Sequence, residues 1–348
     1  MDFVLRPLAR AMDNIWMRLD SKRPTSPHAP STRDMRHITD PAFLDDPERF
    51  YFRPEPVFEP RSVSERRQRG YRVEKLAFPS PVQTRWPENN TAYAYHVRLD
   101  EGGPHPALVV LHGWGRKSLA TEIRHIGLRL ARQGIESFFP VLPYHLRRAP
   151  AGSWSGEYMI SGDVVRTAES FQQAVVEMRA VLPFLRSRPW LRQKPWAGER
   201  SSASQSSEAV GFLGFSLGGI LGHLLMTVEP LPAGITVVAA GNSAGITWEG
   251  RLTRYVRADI ERAGITFAEL ERIWSVTNPT LLARHNKVKN LMMMAGKFDE
   301  IVPPKFTLEL WEALGRPPLR WYPGAHYSSF FFLHSMVDEA ARFFLKHT

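Results

Sequence analysis

The chain of 348 residues contains no cysteine, which removes disulfides, thiolate zinc sites and a cysteine nucleophile from consideration. A chain without disulfides suits a reducing compartment, and a cytoplasmic location is the expectation. It also lacks any run of about twenty apolar residues, so no transmembrane helix is expected. Its first twenty residues, MDFVLRPLARAMDNIWMRLD, lack the uninterrupted apolar core of a signal peptide, because arginines and aspartates interrupt them throughout. Acidic residues are in deficit, 35 against 45 basic ones, for a formal net charge of +10. Such an excess opens nucleic acid, an anionic membrane surface or acidic substrates as partners. The basic residues are scattered, however, with no aromatic interleaving and no nucleic-acid module, so nucleic acid is not an expected partner.

What is present is enough apolar matter for a large core, 43% of the residues. In the first twenty residues Val4, Leu5, Leu8, Met12, Ile15, Trp16 and Leu19 recur at three- and four-residue steps, the pattern of an amphipathic helix. Docking on its own domain is the ordinary use of such a helix; peripheral contact of residues 1–20 with a membrane is the sharper alternative. Residues 21–70 are rich in proline and charge and read as an extended surface arm with little regular structure. From residue 71 the patterning changes. Tyr71 to Phe78 and Thr91 to Arg98 alternate as an antiparallel pair, and from Pro106 onward buried strands alternate with helices. That is the plan of an α/β domain with a mostly parallel sheet over 71–348. Two stretches break the alternation: 187–208, a flexible insertion ending in a serine-rich run, and 242–286, placed where a small cap is expected.

The chemistry concentrates in AVGFLGFSLGGILGHLL, where a strand-like run ends in Gly214-Phe215-Ser216-Leu217-Gly218 and passes into helix-compatible residues. A serine at the apex of a strand-to-helix elbow needs small neighbours two residues away, because the turn is tight. Gly241-Asn242-Ser243-Ala244-Gly245 repeats the pattern, so spacing alone leaves two serines. Context favours Ser216, since LGGILGHLLMTV suits a helix, whereas the residues after Ser243 include β-branched side chains and a glycine, and no helix is expected to open there.

A serine hydroxyl needs a base within hydrogen-bond reach and a carboxylate to orient that base. Downstream, Asp299 follows the strand-like KNLMMMAG and is the expected acid, with its neighbour Glu300 assigned to solvent. His326 follows the last strand in a loop turned by Pro323 and Gly324 and is the expected base. His285 precedes the acid, and His334 and His347 lie on or beyond the last helix.

HG-x-G after the third strand, GFSLGG after the fifth, GKFDEIVP after the seventh and GAH after the eighth together resemble the α/β-hydrolase superfamily over residues 70–348. The resemblance implies an eight-stranded-type, mostly parallel sheet flanked by helices, with a small cap insertion and an N-terminal arm. It implies an oxyanion hole from the backbone N–H groups of Trp114 and Leu217, and a bracing role for His112. Within the superfamily the chain is most similar to the dienelactone-hydrolase-like and peptidase-like branch. The activity implied is that of a serine hydrolase of the carboxylesterase type, acting on a small-molecule acyl substrate, with no cofactor and no metal. The alternative is a non-catalytic scaffold of the same fold, or a membrane-associated binding protein. The segment Leu142 to Arg148 follows a strand at the site edge, making Tyr144, His145, Arg147 and Arg148 candidate substrate contacts. Either arginine could hold a substrate carboxylate or phosphate; the competing reading pairs them with Asp163 or Glu157 as a loop brace. An apolar acyl pocket could draw on Trp114, Phe215 and the aromatic run Tyr327 to Phe332.

Overall fold

The structure is a computed structural model that describes residues 2–20, 35–55, 59–68, 70–100, 105–187, 209–238 and 241–348. The expected insertion falls outside these residues from 188 to 208. Among the described residues nine strands form one sheet: β1 (Arg61–Gln68), β2 (Tyr71–Pro79), β3 (Thr91–Leu99), β4 (Ala107–Leu111), β5 (Glu136–Pro140), β6 (Val210–Phe215), β7 (Gly234–Val237), β8 (Leu291–Gly296) and β9 (Leu319–Tyr322). Their order is β1-β2-β3-β5-β4-β6-β7-β8-β9. The first three strands run antiparallel, and β3 also meets β5 antiparallel; every pairing from β5 across to β9 is parallel.

The central strands ALVVL, VGFLGF, GITV and LMMMAG are buried along their whole length. Strands covered on both faces have no solvent side to alternate toward, so they read as continuous apolar runs. The chain leaves β4 for β5 on one side and returns to β6 on the other. This reversal opens a crevice beyond the carboxyl ends of β4 and β6, where ligands of open α/β sheets bind. Against the sheet pack the long helix Val164–Arg186, whose first turn is capped by the Asp163 side chain accepting from Arg166 N, and the helix Leu217–Val228, buried at every residue.

The arm departs from the sequence expectation. Residues Arg61–Gln68 form β1, an edge strand in a hairpin with β2, and Ile38, Phe50 and Tyr51 enter the main core. The anchoring is polar as well: Tyr51 donates its hydroxyl hydrogen to Val276 O at 2.8 Å, and Gln172 Nε2 donates to Phe50 O at 2.8 Å. Prolines and charges between these anchors masked a few apolar residues that each find a long-range pocket. Between β7 and β8 the chain forms the helices Ser243–Glu249, Arg254–Arg262, Phe267–Ile273 and Pro279–Leu282.

Candidate active site

Ser216 stands at the junction of β6 and the Leu217–Val228 helix with φ 53° and ψ −117°. Positive φ at a non-glycine residue costs on the order of 1–3 kcal/mol and persists only where the surroundings over-determine it. Here they do: Ser216 N donates to Val237 O at 2.9 Å, while its carbonyl accepts from Gly219 N at 2.8 Å. A Cβ on Gly218 would run into Leu111 O, and one on Gly214 into Gly218 O, so the elbow closes only with glycine at both positions.

The loops after β8 and β9 are joined to each other. Lys297 N donates to Tyr322 O at 2.9 Å and Phe298 N to Gly324 O at 3.0 Å, bringing Asp299 and His326 side by side. Asp299 Oδ1 accepts from the backbone of Ile301 and Val302, each at 2.8 Å, which turns Oδ2 toward His326 Nδ1 at 2.8 Å. A carboxylate only accepts, so Nδ1 carries the proton and Nε2 presents its lone pair to Ser216 Oγ at 3.1 Å. Burial alone would depress His326, but the charge and hydrogen bond of Asp299, with the charge of Asp13, outweigh it and raise the pKa above the ordinary 6.5.

Asp13 was not recognised from the sequence. It lies on the N-terminal helix Asp2–Asp20 and is 4% exposed. Its Oδ2 accepts from His326 N at 2.8 Å, and its Oδ1 from Tyr327 N and Ser328 N, both at 3.1 Å. These donors lead into the short 3-10 helix Ser328–Phe332 and have no acceptor within it, which is why a carboxylate from more than three hundred residues away in sequence is held there. Burial raises the Asp13 pKa against the lowering by Ser328 N–H and His326. The helix therefore docks most deeply through Ala9 and Asp13, and only partly through the stripe its periodicity suggested: Leu8, Ile15 and Trp16 are 58%, 59% and 51% exposed, with Trp16 stacking on Tyr327, while Leu5 and Met12 are half-buried. Asp13 lies beside the apolar repeat as one of several charged residues, and nothing local said what it would meet.

Glu300 is not a solvated bystander. It bridges Arg10 of the N-terminal helix at 2.5 Å and Arg251 of the segment between β7 and β8 at 2.7 Å.

The loop after β4 reaches the same point, since a Cβ on Gly113 would meet Ser216 Cβ at 3.6 Å. The peptides on either side of Trp114 are pinned: His112 Nδ1 donates to Gly113 O at 2.8 Å, and Gly115 N donates to His145 Nε2 at 3.1 Å. His112 Nε2 accepts from Leu142 N at 3.1 Å, and burial lowers its pKa to about 4, so it is a neutral brace. The Trp114 ring donates through Nε1 to Gly156 O at 2.7 Å and stacks on Tyr255 at 6.3 Å between centroids. Leu217 opens the elbow helix, where the first N–H groups have no intrahelical acceptor.

The remaining candidates separate. Tyr144 is buried against Trp86 and Tyr158, with its pKa pushed up to about 12 by burial, and His145 is buried with Nδ1 donating to Pro143 O at 2.8 Å. Both rings are held inside the protein, 3% and 0% exposed. Arg148 is fully buried and pairs in bidentate fashion with Glu177 at 2.6 and 2.7 Å, so it braces the loop, but with a partner other than Asp163 or Glu157. Arg147 alone is exposed, with its guanidinium 5.1 Å from the Tyr93 ring centroid.

The second pentapeptide is also a helix start, contrary to expectation. Asn242 caps the Ser243–Glu249 helix by accepting from Gly245 N at 2.8 Å. Ser243 is buried, and its hydroxyl shares a hydrogen bond with Thr277 Oγ1 at 2.9 Å. No histidine reaches it among the described residues.

No family model matches the chain. An uncharacterized protein of Mycobacterium tuberculosis is 27% identical over 333 residues, covering 90% of this chain and 75% of that protein. The uncharacterized protein YdjC of Bacillus subtilis is 29% identical over 93 residues, or 26% of this chain. Among solved structures, an acetyl xylan esterase from Paenibacillus sp. R4 superposes with a TM-score of 0.66 at 15% identity, covering 93% of this chain and 98% of that one. Acetyl xylan esterase 1 from Thermoanaerobacterium gives 0.61 at 16% identity, covering 93% and 96%. The chain has the α/β-hydrolase fold. An identity this low carries the fold alone, so the α/β-hydrolase architecture says where a site should lie, and the residues found there must argue for themselves.

Proposed function

We propose that the protein is a serine hydrolase that cleaves a carboxylic ester or related acyl bond through Ser216, His326 and Asp299. One observation carries this reading: the continuous chain Asp299 Oδ2, His326 Nδ1, His326 Nε2 and Ser216 Oγ, with links of 2.8 and 3.1 Å, ends on a serine held at φ 53°. That both structural neighbours are acetyl xylan esterases lends it support.

His326 Nε2 takes the proton of Ser216 as Oγ attacks the acyl carbonyl carbon. The oxygen of the tetrahedral intermediate would be met by the N–H groups of Leu217 and Trp114, each worth on the order of 10²- to 10³-fold in rate. His326 then returns the proton to the leaving group, and water repeats the sequence on the acyl-enzyme. Asp299 keeps Nδ1 protonated and stabilises the imidazolium. Trp114, stacked on Tyr255, supports reading the segment 242–286 as a cap over the crevice. Phosphonofluoridate treatment followed by peptide mass mapping tests the assignment. The label is expected on the peptide bearing Ser216; a label on the Ser243 peptide, or none on folded protein, would reject it.

Asp13 acts here as a positioning residue. The base must be neutral, so with the His326 pKa raised, kcat/KM should fall on the acid side along a limb lying above 6.5. Asp13→Asn removes one of the charges that raise it, and the limb is expected to move to lower pH. Asp13→Ala also releases three backbone N–H groups and should lower kcat by on the order of 10²-fold through misplacement of the imidazole. A limb unchanged in the asparagine variant would show that the carboxylate has only a structural role.

A further inference from the structure

A cleft of about 230 Å³ opens between β2, β3 and the loops that follow β4 and β5. Among the described residues Lys75, Lys117 and Arg147 line it with Tyr93, Tyr95, Leu119, Val141 and Leu146, and no carboxylate does. Elsewhere the arginines of these loops are matched: Arg116 pairs with Glu122 and Arg148 with Glu177. Lys75, Lys117 and Arg147 have no carboxylate partner among the described residues.

Two of the three cations are seated and not trailing in solvent. Lys75 Nζ lies 5.4 and 5.9 Å from the ring centroids of Tyr93 and Tyr95, and the Arg147 guanidinium lies over the Tyr93 ring. Seating on ring faces fixes the heads at little entropic cost to a later ligand. It also concentrates like charge: burial first, and then the neighbouring Arg147, push the Lys75 pKa below its ordinary value of 10.5. Three converging cations without a counter-charge repel one another, and that repulsion is relieved when an anion enters.

We propose that this cleft is an oxyanion subsite, taking a carboxylate or phosphate group. The volume decides the size of the ligand: whole small molecules occupy roughly 300–1,000 Å³, so the cleft holds a single anionic group beside the apolar wall of Leu119, Val141 and Leu146. Its place suggests the source. The loop that carries Arg147 follows β5, two strands from β6 in the order β5-β4-β6, about 10 Å at the usual strand spacing; Tyr93 and Lys75 stand on β3 and β2, one and two strands further out, and Lys117 is on the loop that carries Trp114. An anionic terminus on the acyl substrate can therefore reach from Ser216 to the Arg147 side of the cleft, and this part of the proposal rests on the hydrolase reading above. A separate small anion is the other source of the same chemistry.

Calorimetry of the full chain with inorganic phosphate, and with succinate, tests the subsite without any turnover. Binding is expected in the wild type, weakened at least tenfold in Lys75→Gln/Arg147→Gln, and weakened by added chloride. No binding, or binding undiminished in that variant while its thermal unfolding matches wild type, would overturn the proposal. The source is read from paired esters of 4-nitrophenol, the octanoate and the hydrogen suberate. If the substrate supplies the anion, Arg147→Gln raises KM for the suberate alone and leaves kcat unchanged. Equal KM changes for both esters, with phosphate binding still lost, assign the site to a separate anion. Absence of ester hydrolysis alongside intact phosphate binding would count against the hydrolase reading and not against the subsite.

Discussion

Ser216→Ala is expected to lower kcat for a chromogenic acyl ester by on the order of 10⁶-fold with KM nearly unchanged, as loss of a nucleophile in a Ser-His-Asp unit does elsewhere. The reason is specific to the geometry. His326 Nε2 faces Oγ at 3.1 Å, and removing Oγ leaves the imidazole, Asp299 and the backbone donors in place without an attacking group. Residual rate over water would then come from the oxyanion donors and binding. The fold should tolerate the change, since alanine meets no new atom and the backbone bonds of residue 216 to Val237 and Gly219 are retained. Ser243→Ala is the matched control. Losing its bond to Thr277 should cost about 1 kcal/mol of stability and leave turnover intact. Steady-state kinetics on the two variants decide between the serines, and a Ser216→Ala protein within tenfold of wild-type kcat would end the nucleophile assignment.

The largest expected effect on stability lies at Glu177. Its carboxylate takes two bonds from Arg148 and one each from Ser80 Oγ at 2.6 Å and Gln173 Nε2 at 3.0 Å, all within the protein interior. Glu177→Ala would strand a guanidinium that is fully buried, a loss of about 3–5 kcal/mol. Removing both members, as in Glu177→Ala/Arg148→Met, should cost clearly less than the sum of the single changes, because no charge is then left unpaired. Denaturant titrations of the two single variants and the double variant measure the coupling; additive losses would show that the pair does not act as a unit. The consequence reaches the site as well. Arg148 also donates to Val141 O and Asn89 O, closing the loop from which His145 holds Gly115 beside Trp114. Arg148 thus braces this loop from within the core, while its neighbour Arg147 lines the cleft.

Much of the fold was legible because parallel strands between helix layers leave a local imprint. The runs at β4, β6 and β8, and the period of Val164–Arg186, follow from burial on both faces of a sheet and one face of a helix. The elbow was legible for a steric reason, since Gly214 and Gly218 sit where any Cβ would strike backbone. Local pattern was less informative where the outcome depended on distant partners. The two pentapeptides both begin helices, and they differ in what faces the hydroxyl: His326 for Ser216, Thr277 for Ser243. The adjacent arginines 147 and 148 share composition and spacing, yet one meets a buried carboxylate from another element and the other does not.

By itself, then, the sequence determined the order of strands β2 to β9 and of the long helices between them, the serine elbow and the chain order of Ser216, Asp299 and His326, because each depends on neighbours within a few residues. Only the tertiary structure decided that Asp13 joins the His326 loop, that the arm supplies an edge strand, and that Lys75, Lys117 and Arg147 converge. Those outcomes depend on which groups meet across long loops, and a hydrogen-bond donor or an unmatched charge leaves no trace in the residues beside its partner.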